Sequence, residues 1–323
     1  MEKLKIVASA RQLPEQQVTN QTLSQIMDTN DDWIFSRTGI HQRHIVTNEN
    51  TSDLAIKVAT QLLNKTGIAA ETLDFIIVST MSPDSLSPST AAIVQGAIGA
   101  DNAFAFDLSA ACSGFVYGMS VASSLLATRY HRGIVIGAEV LSKLVDWQDR
   151  TTAVLFGDGA AGVLVETTQD NVGLLAEELQ TFGNKGENLI AGRFANKNPF
   201  SGEISPEDPY FHQNGREVYS FATREVPNVL QIALDKANVS ADDVDYYLLH
   251  QANARIVSSI AKRFGQPADK FPTNMAQNGN TSAASIGLLF DDLIESGQVH
   301  AGQTIAFVGF GGGLTVGAQI FKI

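Results

Sequence analysis

Gly67-Ile-Ala-Ala-Glu-Thr-Leu-Asp-Phe-Ile-Ile-Val-Ser79 is matched about 170 residues downstream by Asn238-Val-Ser-Ala-Asp-Asp-Val-Asp-Tyr-Tyr-Leu-Leu-His250. Both segments read as a turn, a short acidic step and a buried strand. An amphipathic helix precedes each, Ser52 to Lys65 in the first and Arg224 to Lys236 in the second. The stretches that follow, Ala91 to Leu108 and Val257 to Met275, each read as a helix, a Gly turn and a short extended piece. They run into Cys112 and Asn280, each opening an Ala/Ser-rich helix. Apolar strands close each copy: Gly133 to Gly137 with Ala160 to Glu166, and Thr304 to Gly309 with Leu314 to Phe321. Alternating helices and strands predict an α/β fold in layers. The expected domains are an N-terminal half, residues 1–170, and a C-terminal half, residues 171–323, with 167–223 read as a linking and insertion region of weak periodicity.

The 323 residues, 44% hydrophobic and 17% charged, suit a large globular core. The net charge of −12 argues against nucleic acid as a general partner, because phosphate contacts need a basic surface. It also requires a local basic patch wherever an acidic partner docks. No apolar stretch approaches bilayer-spanning length, so no membrane partner is expected. Met1-Glu-Lys-Leu-Lys-Ile6 lacks the apolar run of a signal peptide, and one cysteine fits a reducing compartment. The expectation is a soluble, cytoplasmic protein.

The single cysteine, Cys112, stands in Asp107-Leu-Ser-Ala-Ala-Cys-Ser-Gly114. A strand-like stretch, Ala103 to Leu108, leads in and a helix-like stretch, Gly114 to Leu126, leads out. A helix N-terminus carries partial positive charge and free N–H donors, which favours thiolate over thiol. His250 sits at the C-terminal end of a strand, where α/β folds place their chemistry. Asn280 lies in Asn278-Gly-Asn-Thr-Ser282. If Cys112 and Asn280 occupy equivalent helix ends, all three side chains meet at the junction of the halves, a nucleophile with two partners. His41, His44, His131, His212 and His300 read as surface or loop residues without metal-ligand spacing, so no metal is expected. Gly157-Asp-Gly-Ala-Ala-Gly162 is formally G-x-G-x-x-G, but it leads into a strand. Its glycines therefore read as turn and close-packing positions, not as a dinucleotide loop.

These segments resemble the β-ketoacyl-acyl-carrier-protein synthase III family over essentially the whole chain. The resemblance rests on Ala-Ala-Cys-Ser-Gly114, His250-Gln-Ala-Asn253, Asn278-Gly-Asn-Thr-Ser282 and Gly309-Phe-Gly-Gly-Gly-Leu-Thr315. Asp31-Asp-Trp-Ile-Phe-Ser-Arg-Thr-Gly-Ile40, Asp146-Trp-Gln-Asp-Arg150 and Phe156-Gly-Asp-Gly-Ala-Ala161 extend it. It implies the thiolase fold, two duplicated βαβαβ-type halves in five αβαβα layers, assembled as a homodimer. The implied activity starts type II fatty acid synthesis. An acyl-CoA primer is loaded on Cys112, then condensed with malonyl-acyl carrier protein with loss of carbon dioxide and no cofactor. The oxyanion hole is then the N–H groups of Cys112 and Gly312, and His250 and Asn280 stabilise the enolate. Elongating relatives carry a second histidine where this chain has Asn280. The CoA site falls on Trp33, Arg37, Arg150, Gly215 and Asn253, and the carrier-protein surface on Arg255, Lys262 and Arg263.

Three positions depart from the family pattern. Tyr219-Ser220 replaces a docking lysine, Ser87 replaces an aromatic that closes the acyl pocket across the dimer, and Val316 replaces a tryptophan. The second departure points to a longer or branched primer. Papain-like proteases also order Cys, His and Asn, but their local signature is absent and the duplication has no place in them. Other readings are a relative that condenses different acyl-CoA starters for a polyketide or signalling molecule, and a non-catalytic scaffold. Intact Cys112, His250 and Asn280 argue against the scaffold.

Overall fold

The computed structural model describes residues 3–202, 204 and 206–323. Strand β1 (Lys3–Gln12) is followed by β2 (Gln17–Thr19), the one-turn α1 (Asn20–Leu23), α2 (Asp31–Thr38) and β3 (Gln42–His44). Then come α3 (Thr51–Thr66), β4 (Phe75–Ser79), α4 (Thr90–Ala97), β5 (Phe104–Leu108), α5 (Gly114–Leu126), β6 (Arg132–Glu139) and β7 (Gly159–Thr168). The remainder comprises β8 (Gly173–Thr181), β9 (Leu189–Arg193), β10 (Asp208–Gln213), α6 (Gly215–Ala237), β11 (Tyr246–Leu249) and α7 (Ala254–Phe264). It ends with α8 (Met275–Asn278), α9 (Ser285–Glu295), β12 (Thr304–Gly311) and β13 (Thr315–Lys322).

The first sheet has the order β1-β7-β6-β4-β5 and the second β11-β12-β13-β8. In each, a parallel pair (β4 with β6, β11 with β12) adjoins two antiparallel steps that end on the opening strand, β1 or β8. Side-chain alternation then builds the layers. Ile76, Val78, Ile134 and Ile136 point outward against Leu54, Val58 and Leu62 of α3 and Val94 of α4. Ile77 and Val135 point inward, where Phe115 and Met119 of α5 and Ile286 and Phe290 of α9 separate the sheets. Tyr247, Leu249, Val308 and Ile320 face Val226 and Leu230 of α6 and Ile256 and Ile260 of α7. Five layers result. Both faces of each sheet are covered, which is why the strands read as continuous apolar runs.

Local signals explain the element ends. Asn50 and Asp53 form a capping box at the start of α3, and Gly67 closes it in the left-handed conformation. Asn253 caps α7 through the Arg255 amide. No helix among the described residues is long and apolar enough to cross a membrane.

Several expectations need correction. Residues 167–223 are more than a linker: they supply β8, the β9–β10 ribbon and the first turns of α6, which starts at Gly215 rather than Arg224. β8 is only half-buried, and its acids have structural partners, which blurs its pattern. Glu177 accepts from Ser120 and Gln319, and Glu178 pairs with Lys236. β1, with Lys3, Lys5 and Arg11, was likewise not evident as a strand. Between α7 and α8 no strand forms on the outer side of β11 to match β5 of the first sheet; Asn280 instead makes an isolated parallel bridge to Phe156. His44 is buried, its Nδ1 2.6 Å from the Pro14 carbonyl oxygen, not a surface residue. The Gly157 segment does lead into β7, and a Cβ on Gly157 would stand 2.3 Å from the Asn278 carbonyl oxygen.

Candidate active site

Residues Ala111–Ser113 form a 3-10 turn between β5 and α5, with Ala111 at φ 46°. Ser282–Ala284 form the matching turn before α9, with Ser282 at φ 47°. The equivalence of the two helix ends therefore holds for the turns. It does not hold residue for residue: aligned on these strained positions, Cys112 matches Ala283, and Asn280 stands two places before its turn.

Cys112 is buried. The β12–β13 connection closes over it, so that a Cβ on Gly311 would lie 2.7 Å from Cys112 Cβ and 3.1 Å from Sγ. Only glycine permits that approach. Thr315 Oγ1 lies 2.9 Å from both Ser113 Oγ and the Gly312 carbonyl oxygen, fastening the connection to the turn. Burial pushes the Cys112 thiol up to about 12, and the nearby Glu139 carboxylate adds to the rise. The Ser282 hydroxyl and the N–H groups of Cys112 and Gly312 act in the opposite sense, although the hydroxyl itself is hydrogen-bonded to Met81 Sδ at 3.7 Å. This corrects the expectation of a resting thiolate: desolvation of an enclosed sulfur outweighs the helix end.

His250 follows β11 with no exposure, its N–H donating to the Val308 carbonyl at 2.8 Å. Its Nδ1 is 2.7 Å from Ser285 Oγ, which already accepts from the Gln251 amide at 3.4 Å. When the Ser285 hydroxyl donates to Nδ1, the ring proton sits on Nε2. Nε2 is buried and has no partner among the described residues. Burial pushes the imidazole down to about 3, so the ring is neutral, and Phe310 packs edge-on at 5.2 Å. Asn280 is held by its backbone, to Leu155 and Gly157, and by its Oδ1, which accepts from the Ser282 amide at 2.9 Å. With Oδ1 engaged, the amide NH2 is the free end. Phe310, against the His250 ring, and Gly311, against Cys112, join these two residues.

A cavity of about 1130 Å³ adjoins Cys112, lined among others by Met81, Leu108, Tyr117, Leu189, Phe211 and Gly312. Ser87 is exposed and does not line it, although Ser85, Leu86 and Ser89 do. Its expected role in the acyl pocket is not formed within a single chain. Arg37 and Arg150 lie over Trp33, 4.6 and 5.2 Å from the ring centroid, while Asn253 Nδ2 donates to the Arg37 carbonyl at 2.9 Å. These four residues form one cluster. Gly215 stands apart, exposed at the start of α6 with open space around it and outside the cavity lining. Arg255, Lys262 and Arg263 are exposed on α7, but Arg255 donates to the Ser36 carbonyl (3.1 Å from Nε) and so also clamps α7 to α2. Tyr219 hydrogen-bonds Ser259 at 2.7 Å, and Val316 is buried in β13; nothing in the structure explains the latter departure. No group of metal-ligating side chains occurs among the described residues.

Ser282, Ser285, Phe310 and Glu139 also belong to this neighbourhood and are not singled out by sequence reasoning. A glutamate closing the apolar run Gly133-Ile-Val-Ile-Gly-Ala-Glu139 is the one signal that pointed to a buried acid.

Residues 106–183 match the family description 3-oxoacyl-(acyl-carrier-protein) synthase III, and residues 234–323 its C-terminal part. Over 322 residues, 99% of each chain, the protein is 53% identical to β-ketoacyl-(acyl-carrier-protein) synthase III of Lactococcus lactis subsp. lactis strain IL1403. The chain belongs to the β-ketoacyl-acyl-carrier-protein synthase III family. The synthase III of Limosilactobacillus reuteri strain DSM 20016 is 52% identical over 324 residues, covering 100% of both chains. The crystal structure of the synthase III from Aquifex aeolicus VF5 matches with a TM-score of 0.92 at 38% identity, again over 100% of both. The fold is accordingly the thiolase fold of the synthase III enzymes.

Proposed function

We propose that this chain is the priming condensing enzyme of fatty acid synthesis, using Cys112 as acyl carrier and His250 with Asn280 as enolate stabilisers. The observation that carries this reading is a buried sulfur over which Gly311 closes, with the buried His250, its Nε2 without a partner among the described residues, packed on the adjoining Phe310. Cys112 sulfur attacks the acyl-CoA thioester carbonyl, and the two amides bind the developing oxyanion. Collapse expels the CoA thiol and leaves an acyl-cysteine. Malonyl-acyl carrier protein then places its thioester carbonyl against His250 Nε2–H and the Asn280 amide. Loss of carbon dioxide leaves an enolate held by these donors, and its carbon attacks the acyl-cysteine to give 3-oxoacyl-acyl carrier protein. Decarboxylation drives the step.

Trp33, Arg37, Arg150 and Asn253 hold the CoA adenine and phosphates, with Gly215 on the pantetheine path. Lys262 and Arg263, with Arg255, meet the acidic carrier protein. We assign halves 1–170 and 171–323, a reading supported by the shared strand order of the two sheets. We further propose a cytoplasmic protein that works as a homodimer; the dimer is supported by β5, the outermost strand of its sheet with Phe104 exposed, which leaves an edge for a second copy. In a dimer Ser87 can reach the partner's cavity, and its small side chain favours longer or branched primers.

The test is intact-mass spectrometry after mixing with CoA thioesters of graded length. A mass increase of one acyl group that disappears in Cys112→Ser is expected. Acylation retained in Cys112→Ser refutes the assignment.

A further inference from the structure

Arg43 lies in β3 with no solvent exposure. Its guanidinium makes no ion pair among the described residues and bonds neutral oxygens instead. Nη1 donates to Asn20 Oδ1 at 2.8 Å and to the Val18 carbonyl at 3.2 Å, and Nη2 donates to the Val154 carbonyl at 2.6 Å. Nε is buried without a partner among the described residues. A charge enclosed on these terms is costly, and an apolar side chain of similar volume would fill the same space without that cost. What an apolar side chain cannot do is hold two backbone carbonyls from distant segments in a fixed relation.

One of those segments carries Asn280. The carbonyl of Leu155, the residue after Val154, accepts the Asn280 amide at 2.9 Å, and the Gly157 amide donates to the Asn280 carbonyl at 3.0 Å. The bridge between Phe156 and Asn280 therefore starts next to the carbonyl that Arg43 grips. The stem of Arg43 packs against the same bridge. A Cβ on Gly157 would stand 3.0 Å from Arg43 Cβ, and one on Gly279 would stand 3.1 Å from it. These two glycines flank the bridge, Gly279 at φ 67°, and they meet Arg43 as bare backbone. One side chain thus fixes the bridge from its head and from its stem. β3 itself is fastened to both partners of the bridge: the Asp158 amide donates to the His44 carbonyl at 2.8 Å, and the His41 amide to the Ala276 carbonyl at 2.9 Å.

We propose that Arg43 is a positioning residue for Asn280: it touches no reacting atom and fixes the backbone from which the Asn280 carboxamide reaches the pocket. The inference rests on the proposed role of Asn280 in decarboxylation and extends it to a residue outside the cavity lining. None of the Arg43 hydrogen bonds reaches the Cys112 turn or the β12–β13 connection. Loading of the acyl group is therefore insensitive to Arg43, and the enolate step is not.

The experiment compares Arg43→Met and Arg43→Lys in the wild-type and Asn280→Ala backgrounds, with thermal unfolding to confirm a folded chain. Two rates are read: acylation of Cys112 by acyl-CoA, from intact mass, and carbon dioxide release from malonyl-acyl carrier protein. Misplacing a reacting group by about 1 Å costs about a hundredfold, so Arg43→Met should slow carbon dioxide release by about that factor and leave acylation within a few-fold of wild type. Arg43→Lys puts one ammonium in place of the fork that spans Val154 and Asn20, and should lose about tenfold. It carries the test if Arg43→Met does not fold. In the Asn280→Ala background either substitution should cost no more than about twofold, because the group through which Arg43 acts is gone. The same loss in both backgrounds, or equal losses in acylation and carbon dioxide release, overturns the proposal. A crystal structure of Arg43→Lys adds a readout independent of the reaction: residues 278–280 should move by at least about 0.5 Å while Cys112 keeps its place, and an unmoved segment overturns the proposal. Asn280→Ala alone reports on the proposed function. Undiminished carbon dioxide release there refutes the role of Asn280, while the displacement in Arg43→Lys still decides whether Arg43 holds it.

Discussion

Removing the His250 imidazole should change the pH dependence of folding stability by an amount that the structure sets. His250 is fully enclosed, and burial lowers it from 6.5 to about 3. Between those values the unfolded chain binds a proton at this residue and the folded chain does not, so the unfolded state gains as pH falls. The sign is therefore full stability above pH 6.5, progressive loss below it, and no further loss below about 3. The whole span corresponds to about 5 kcal/mol, of which about 3 kcal/mol are lost by about pH 4. Glu139 acts in the opposite sense. Burial raises it from 4.5 to about 7, so the folded state holds the extra proton there and its contribution falls as pH rises through that window. From about pH 4.5 to 6.5 the two slopes nearly cancel in the wild type.

His250→Ala unmasks the difference. Its cavity and the loss of the Ser285 contact shift stability by a pH-independent offset, which drops out of the slope. The assay is urea unfolding at intervals from pH 7.5 to about 4, with equal m-values required of both proteins. The stability of wild type minus that of variant should fall by about 3 kcal/mol from pH 6.5 to about 4. A difference that stays flat, or grows, over this range would show that the imidazole is solvated or charged in the folded state. It would remove the neutral donor on which the enolate step depends.

Gly311→Ala places a methyl 2.7 Å from Cys112 Cβ; displacement of the nucleophile should slow acylation about a hundredfold while thermal unfolding still shows a folded chain. Asn280→Ala should leave acylation within a few-fold of wild type but slow malonyl-thioester decarboxylation by about 10²–10³, measured as carbon dioxide release; equal losses in both steps would contradict the division of roles. Lys262→Glu should raise the half-saturating carrier-protein concentration several-fold with little change for acyl-CoA, an effect that shrinks as salt rises. Lys262 is the cleaner probe because Arg255 also anchors α2 through Ser36.

The layers were legible because each central strand buries both faces, and Phe75 to Ser79 or Tyr246 to Leu249 cannot be read otherwise. β8 was not, because an edge strand whose glutamates bond Ser120, Gln319 and Lys236 looks polar to any periodicity rule. The three candidate polar residues could be singled out for a different reason. Each stands among small residues, Ala-Ala-Cys-Ser-Gly, His-Gln-Ala-Asn and Asn-Gly-Asn-Thr-Ser, since backbone must come close to it. Gly311 against Cys112 shows why. The residues that were missed act through a third group: Ser285 bonds His250 and the Ser282 amide holds Asn280, on a turn that meets the turn at Ala111, 171 residues away, where a Cβ on Gly114 would lie 3.1 Å from Ala283 Cβ. Spacing along the chain carries no trace of that meeting.

The state of the thiol shows where local reasoning reverses. A helix N-terminus, two amides and a serine hydroxyl all favour thiolate, and each can be expected from sequence or from the turn it encodes. Their combined pull is still smaller than the cost of removing the sulfur from water, which leaves the resting group a thiol. That order of magnitudes suits a nucleophile that must not react before its substrate arrives. On the proposed mechanism a thioester brings its carbonyl oxygen to the same two amides, so donors that do not ionise the sulfur by themselves would stabilise the charge as it moves from sulfur to oxygen. The enclosure that holds the thiol in reserve also strengthens those donors when the reaction begins.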